Sequence, residues 1–287
     1  MQISQNSTKY IVALVAIVFT FSSCEKTYES IESIDEAKIK AYIQKNNIPA
    51  IKDPSGFYYQ VLEQGTGGAL LNKDSVFYTS TVKSLTGTSY YTPASYVNDA
   101  NYLGYVNPAA YRTAMLAINR GGKVRVIVPS YLAFGKNGQD NIPSNEVVVA
   151  EISVFPQATQ WQVDDKRIAD FIAAKGLTGF KKHPSRVYQS VSVVGTGISI
   201  SALSTITVKY TGRLLNGTIF DQSGTTDYVS LLSDLVPGWR KSLIGITKGS
   251  KLRLLIPSDL GYGKTGSGLI PANAVLDFDL EIVDVVD

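Results

Sequence analysis

A single histidine, His183, and a single cysteine, Cys24, restrict the chemistry open to this 287-residue chain. Hydrolysis by a Ser-His-Asp arrangement needs an imidazole facing a hydroxyl and backed by an acid. His183 stands instead in the run Lys181-Lys182-His183-Pro184, where a solvated residue is the simplest reading. Metal sites draw three or four ligands from cysteine, histidine and carboxylates, and a lone cysteine with a lone histidine makes no such cluster. No glycine-rich phosphate loop precedes a helix, and Lys264-Thr265-Gly266-Ser267-Gly268 lacks the spacing of one. No metal and no cofactor is implied. A net charge of +3 on a chain that is 44% hydrophobic and 18% charged gives no bias toward nucleic acid.

Cys24 has no intramolecular disulfide partner, and an unpaired thiol in an exported protein asks for another use. Export is indicated by Lys9 followed by an uncharged run from Tyr10 to Phe21. That run is shorter than the roughly 20 residues of a membrane span and suits the apolar core of a signal peptide. Phe21-Ser22-Ser23-Cys24 resembles the lipobox of bacterial lipoproteins, with Phe21 a looser fit than the usual Leu. The resemblance implies a signal over 1–23, diacylated Cys24 as the first mature residue, and a tether over 24–33. Two acyl chains hold a protein stably, at about 0.8 kcal/mol per buried methylene. The expected location is the bacterial cell envelope, lipid-anchored to a membrane, with the outer membrane favoured and either periplasm or exterior faced. The alternative is that Cys24 is an ordinary residue at the end of a cleavable signal.

Whatever site follows is positioned by elements that occur twice. AYRTAMLAINRGGKVRVIVPSYLAFGKNG, from Ala110, lies over GWRKSLIGITKGSKLRLLIPSDLGYGKTG, from Gly238, at a constant offset of 128 residues. Upstream, FYYQVLEQGTG ending at Gly67 lies over VYQSVSVVGTG ending at Gly197 at an offset of 130, so the first copy has a longer loop between Tyr91 and Tyr111. Ile39, Tyr42 and Ile43 in one lead-in, and Ile168, Phe171 and Ile172 in the other, fall at helical spacing. Ile206, Val208, Tyr210 and Leu214 alternate with polar residues as a half-buried strand does, and Asn216-Gly217 predicts a hairpin with positive φ at both positions. Leu252, Leu254 and Ile256 mark a strand ended by Pro257. The last strand is expected to bury Leu276, Phe278, Leu280 and Ile282 and to expose Asp277, Asp279 and Glu281. Pro237-Gly238-Trp239 opens a helix of at most two turns. The predicted fold is α+β: two tandem domains, each an antiparallel sheet wrapped around a short helix and preceded by a short helix. Their predicted limits are 34–156 and 164–287, with a linker over 157–163.

Over about Pro184 to Val285, VKYTGRLLNGTIFDQS, LVPGW, KLRLLIPSDLGYGKTG and LIPANAVLDFDLEIVDV resemble the successive signature blocks of the FKBP-type peptidyl-prolyl cis-trans isomerases. The resemblance implies a proline pocket walled by Tyr210, Phe220, Leu235, Val236, Ile270 and Phe278, with Trp239 as floor. Asp221 and the Tyr262 hydroxyl would stand at the rim, and the Val236 N–H would meet a substrate carbonyl. Ser242, Gly261 and Ala272 depart from the family pattern, as does the short loop at Ser267, and Tyr228 is the only candidate for a further pocket aromatic.

Such a pocket isomerises Xaa-Pro bonds without proton transfer. The barrier of about 18–20 kcal/mol is lost amide resonance, and a dry apolar site disfavours the planar, more polar amide relative to the twisted one. Implied partners are proline-containing segments of exported proteins, and macrolides that occupy this family's pocket. Laid over the second copy, Tyr210 becomes Ser80, Phe220 Tyr90, Asp221 Tyr91, Trp239 Tyr111, Tyr262 Phe134 and Phe278 Ala150. The first domain is therefore expected to keep the fold and lose catalysis. Tyr90, Tyr91, Tyr96, Tyr102 and Tyr105 either fill its altered pocket or form a protein-contact surface. The alternative for the whole chain is a noncatalytic lipoprotein binding or assembly module of an envelope complex.

Overall fold

The computed structural model describes residues 28–94 and 96–287. Cys24 and the predicted signal lie outside the described residues. Two antiparallel sheets are built by one wiring used twice. The first unit runs α1 (Ile31–Lys45), β1 (Ile51–Lys52), β2 (Tyr58–Glu63), β3 (Ser75–Ser84), β4 (Ser89–Tyr91), β5 (Asp99–Tyr102), α2 (Ala109–Met115), β6 (Lys123–Val128) and β7 (Val148–Val154). The second runs α3 (Gln160–Ala174), β8 (Lys181–Lys182), β9 (Tyr188–Val193), β10 (Thr205–Leu214), β11 (Ile219–Gln222), β12 (Tyr228–Leu231), α4 (Pro237–Ser242), β13 (Lys251–Ile256) and β14 (Leu276–Val286). Strand order is β1-β2-β6-β7-β3-β4 in one sheet and β8-β9-β13-β14-β10-β11 in the other, with β5 and β12 each pairing the long strand β3 or β10. No described helix is long and apolar enough to cross a membrane.

Each sheet has two buried faces, and this changes the pattern read from the sequence. On the inner face, α2 packs Ala110, Ala114 and Met115 against Val124, Val126 and Val128, and α4 packs Trp239 and Leu243 against Leu252, Leu254 and Ile256. On the outer face, α1 brings Ile39 onto Ile127 and Val149, while α3 brings Ile168 and Phe171 onto Leu255 and Val275. Strict alternation therefore fails beneath the lead-in helices. Asp277, expected to be exposed, is 2% exposed. Arg253 makes burial tolerable by a two-pronged contact, Nε to Oδ1 at 2.8 Å and Nη2 to Oδ2 at 2.7 Å. The first unit has Val149 at the matching place, buried under α1.

Three further expectations are corrected. Helix α1 begins at Ile31, inside the stretch 24–33 read as tether, because the Ser30 side chain caps it by accepting the Ser33 N–H at 3.3 Å. Helix α3 begins at Gln160, inside the stretch 157–163 read as linker, where Gln162 Oε1 reaches back to accept the Thr159 N–H at 3.2 Å. In the β10–β11 hairpin, Gly217 takes positive φ and Asn216 does not. Asn216 instead accepts the Thr218 N–H through Oδ1 at 3.0 Å, and the register shifts between Gly212 and Arg213.

The lead-in helices are latched by a buried carboxylate. Asp164 Oδ2 accepts the Ser258 N–H at 2.9 Å and its hydroxyl at 2.6 Å, while in the first unit Asp35 Oδ2 accepts the Ser130 N–H at 2.8 Å and its hydroxyl at 2.6 Å. Both aspartates are fully buried. Asp164→Ala strips both Ser258 donors of their acceptor inside the protein, at a cost of about 2–4 kcal/mol. Urea unfolding is expected to show the second unit's transition moved to lower denaturant and the first unit's in place; a shift within error of zero would remove the latch role.

Candidate proline-binding site

The site lies where β10, β14, the β11–β12 region and the start of α4 converge. Register places Tyr210 opposite Leu280 and Gly212 opposite Phe278. A Cβ at position 212 would stand 2.6 Å from Phe278 Cε1 and 2.7 Å from Phe220 Cε2. Glycine is what allows those two rings to meet, edge to face at 5.5 Å between centroids. Trp239 is brought up from α4, which Pro237 starts at its first position. Gly238 next to it permits the close approach, since a Cβ there would collide with Ile256. The indole is 3% exposed and meets Phe278 at 5.1 Å and Tyr210 at 5.7 Å, both near perpendicular. Such ring pairs contribute about 0.5–1.5 kcal/mol each beyond their buried area.

Tyr210, Asp221, Leu235, Val236, Trp239, Tyr262 and Phe278 line a cavity of about 150 Å³ together with Tyr228 and Asp234. Drug-sized ligands occupy roughly 300–1,000 Å³, so this space suits one small ring. Phe220 and Ile270, which the sequence also nominates, do not line it. Phe220 backs Phe278, and Ile270 is buried in the second core. Tyr228 stands edge-on to Tyr210 at 5.6 Å, on the cavity side. Val236 is the N-cap of α4, so its N–H belongs to the group that helical geometry leaves without an intrahelical acceptor.

The polar rim is held by Tyr210, whose hydroxyl donates to Asp221 Oδ2 at 2.7 Å, while Asp221 Oδ1 accepts the Gln222 N–H at 2.9 Å. Burial, and then the hydrogen bond to Asp221, push the Tyr210 phenol above its ordinary range. Burial, followed by the Asp221 charge, raises Tyr262 as well. Both phenols thus stay protonated at neutral pH as hydrogen-bond donors. The Trp239 Nε1 proton is buried with no acceptor among the described residues, and so is the Tyr111 hydroxyl at the matching place in the first unit. His183 lies apart from the cavity, its Nδ1 2.8 Å from the Ser185 hydroxyl.

Two of the departures noted in the sequence, Gly261 and Ser242, meet identifiable neighbours. At Gly261 a Cβ would sit 2.7 Å from Leu276 Cδ1, so a larger residue there needs that side chain to shift. Ser242 is 2% exposed and donates its hydroxyl to the Gly238 carbonyl at 2.6 Å, so its polarity is satisfied within the helix. In the first unit the same contacts are made with volume exchanged between partners. Val82 faces Ala150 where Gly212 faces Phe278. Ala110 and Val128 replace Gly238 and Ile256, and Ala133 and Val148 replace Gly261 and Leu276. Tyr78, at the place of Val208, packs against that core with Tyr90 and Phe134, and burial pushes its phenol up to about 12.

Residues 198–283 match the model of the family described as FKBP-type peptidyl-prolyl cis-trans isomerase. Among curated relatives, the FKBP-type peptidyl-prolyl cis-trans isomerase FkpA of Aeromonas hydrophila is 36% identical over 125 residues, covering 42% of this chain and 47% of that protein. FkpA of Escherichia coli K12 is 43% identical over 101 residues, 34% of this chain and 37% of that protein. The chain spans about half the length, or less, of these relatives. A crystal structure of a peptidyl-prolyl cis-trans isomerase from Pseudomonas syringae pv. tomato aligns at 33% identity with a TM-score of 0.40, covering 44% of this chain and 96% of that one. The second unit is an α+β domain with an aromatic-floored cavity. It belongs to the FKBP-type peptidyl-prolyl cis-trans isomerase family.

Proposed function

We propose that the second unit catalyses cis-trans isomerisation of Xaa-Pro bonds, and that the first is a fold-retaining unit without catalysis. The observation that carries this reading is the buried aromatic floor formed by Trp239 and Phe278 beneath the Tyr210–Asp221 rim, all within the family-matched residues. The pyrrolidine ring would occupy the cavity, and the Val236 N–H would hold a substrate carbonyl. Exclusion of water raises the planar amide relative to the twisted one, and about 4 kcal/mol of such bias gives roughly a thousandfold acceleration. Substrates would be proline-containing segments of exported proteins, and macrolides that fill this family's pocket would compete for it.

A protease-coupled assay on Xaa-Pro peptides tests the reading with the purified chain. Phe220→Ala is expected to lower kcat/KM strongly through loss of support for Phe278, and Tyr262→Phe only severalfold, because the hydroxyl supplies one rim contact. With both phenols raised and no histidine at the cavity, the rate is expected to stay level between about pH 6 and 9. A folded chain with no rate above background on a panel of residues before proline would sink the proposal.

We also propose that Cys24 carries the lipid that holds the chain in a bacterial cell envelope. Cys24→Ser is expected to abolish incorporation of labelled fatty acid and to leave the protein unprocessed or soluble. Label persisting in that variant would exclude Cys24 as the attachment site.

A further inference from the structure

The first unit reaches across to the loop that carries one side of the cavity. Tyr96, Val97 and Asn98 lie in the β4–β5 connection, which is two residues longer than the β11–β12 connection of the second unit. Tyr96 stands edge-on to Phe171 at 6.2 Å, and Val97 packs on the second unit's core. Asn98 is 6% exposed and fully engaged. Its Nδ2 donates to the Asp99 carbonyl at 2.9 Å and to Gln160 Oε1 at 3.1 Å, and its Oδ1 accepts from Gln160 Nε2 at 3.3 Å. Its backbone carbonyl accepts from Asn273 Nδ2 at 3.1 Å.

Both receiving residues lead to the site. Asn273 closes the loop after β13 by donating its N–H to the Gly263 carbonyl at 2.8 Å, beside Tyr262. Gln160 Nε2 also donates to Asp164 Oδ1 at 2.8 Å, and Asp164 holds Ser258, whose carbonyl accepts the Gly263 N–H at 2.8 Å. The loop that places Tyr262 and Ile270 is thus tied at two points to Asn98. The first unit supplies an internal control. Asn145 makes the same turn, with φ of 55° against 56° for Asn273 and its N–H on the Gly135 carbonyl at 2.9 Å, yet it is exposed. Asn273 is 6% exposed, its side chain donating to the first unit's Asn98 carbonyl and its own carbonyl accepting from Arg167 of α3 at 3.4 Å.

We propose that the first unit is a brace for the second: Asn98 is a positioning residue that holds the 262–274 loop in the geometry that completes the proline cavity. The catalytic consequence rests on the isomerase reading above, whereas the mechanical one does not. Hydrogen exchange on the full chain separates them. Asn98→Ala, which cuts the side-chain tie to Gln160, combined with Asn273→Asp, which tolerates the same turn but lacks the Nδ2 donor to the Asn98 carbonyl, is expected to speed exchange over 262–274 by about tenfold, with β6 still protected, and to raise KM for an Xaa-Pro peptide severalfold with kcat near the parent's. Unchanged exchange over 262–274 in a variant whose β6 remains protected would overturn the brace. Should that pair of changes expose β6, Val97→Ser, which removes only the apolar plug, is read by the same two criteria. A parent chain without isomerase activity refutes the catalytic reading and leaves the exchange result to decide the brace.

Discussion

Gly212→Val is expected to destabilise the second unit by about 1–3 kcal/mol, and Phe278→Ala by about 3–5 kcal/mol, yet the two together should cost less than their sum. The single valine drives a side chain into Phe278 and Phe220, which a Cβ alone would approach to 2.6 and 2.7 Å. The single alanine leaves a void between Trp239, Tyr210 and Phe220, the rings that now surround Phe278. The double variant reproduces the Val82–Ala150 pair that the first unit carries at the same register. Residues that share a cavity couple by about 0.5–3 kcal/mol, and here the sign is favourable. Urea unfolding of the second unit is the stability readout, and the protease-coupled assay the functional one. Activity should return in none of the three, because the ring that shapes the floor is gone from two of them and displaced in the third. Strictly additive stabilities would mean that the exchange of volume between the units is coincidence.

The same double variant isolates the first unit's contribution within the intact chain. Its kcat/KM is expected to fall below a tenth of the parent value, a loss of more than about 1.4 kcal/mol in transition-state stabilisation. The reason lies in what stands at the matching positions. Ser80 and Ala150 remove two rings, and Tyr91 removes the carboxylate to which the Tyr210 hydroxyl donates. Tyr78 and Tyr90 pack against the core instead. Residual activity within tenfold of the parent would place catalysis in the first unit as well.

The repeat, the strands and the aromatic set were legible in the sequence because each rests on local order. Period-two alternation in β10, helical spacing in α1 and α3, and the order of the signature blocks need no knowledge of what packs on what. Seven of the nine residues that the family resemblance implies line the cavity, with alternation placing Tyr210 and Phe278 on inward positions of their strands. Phe220 and Ile270 fall one layer behind, a difference set by ring-to-ring distance that spacing along the chain does not encode. Asp277 was misread because the outer face of its strand is covered by α3, and the partner that neutralises it, Arg253, is 24 residues away in sequence. Gly212 carried no signal alone; its role depends on two rings from other strands meeting above it. Nor does any local pattern tie Asn98 to Asn273, which are 175 residues apart. Local chemistry thus determined which elements form and which rings they present, while contacts between distant segments decided where one side chain yields space to another and where one unit steadies the other's loop.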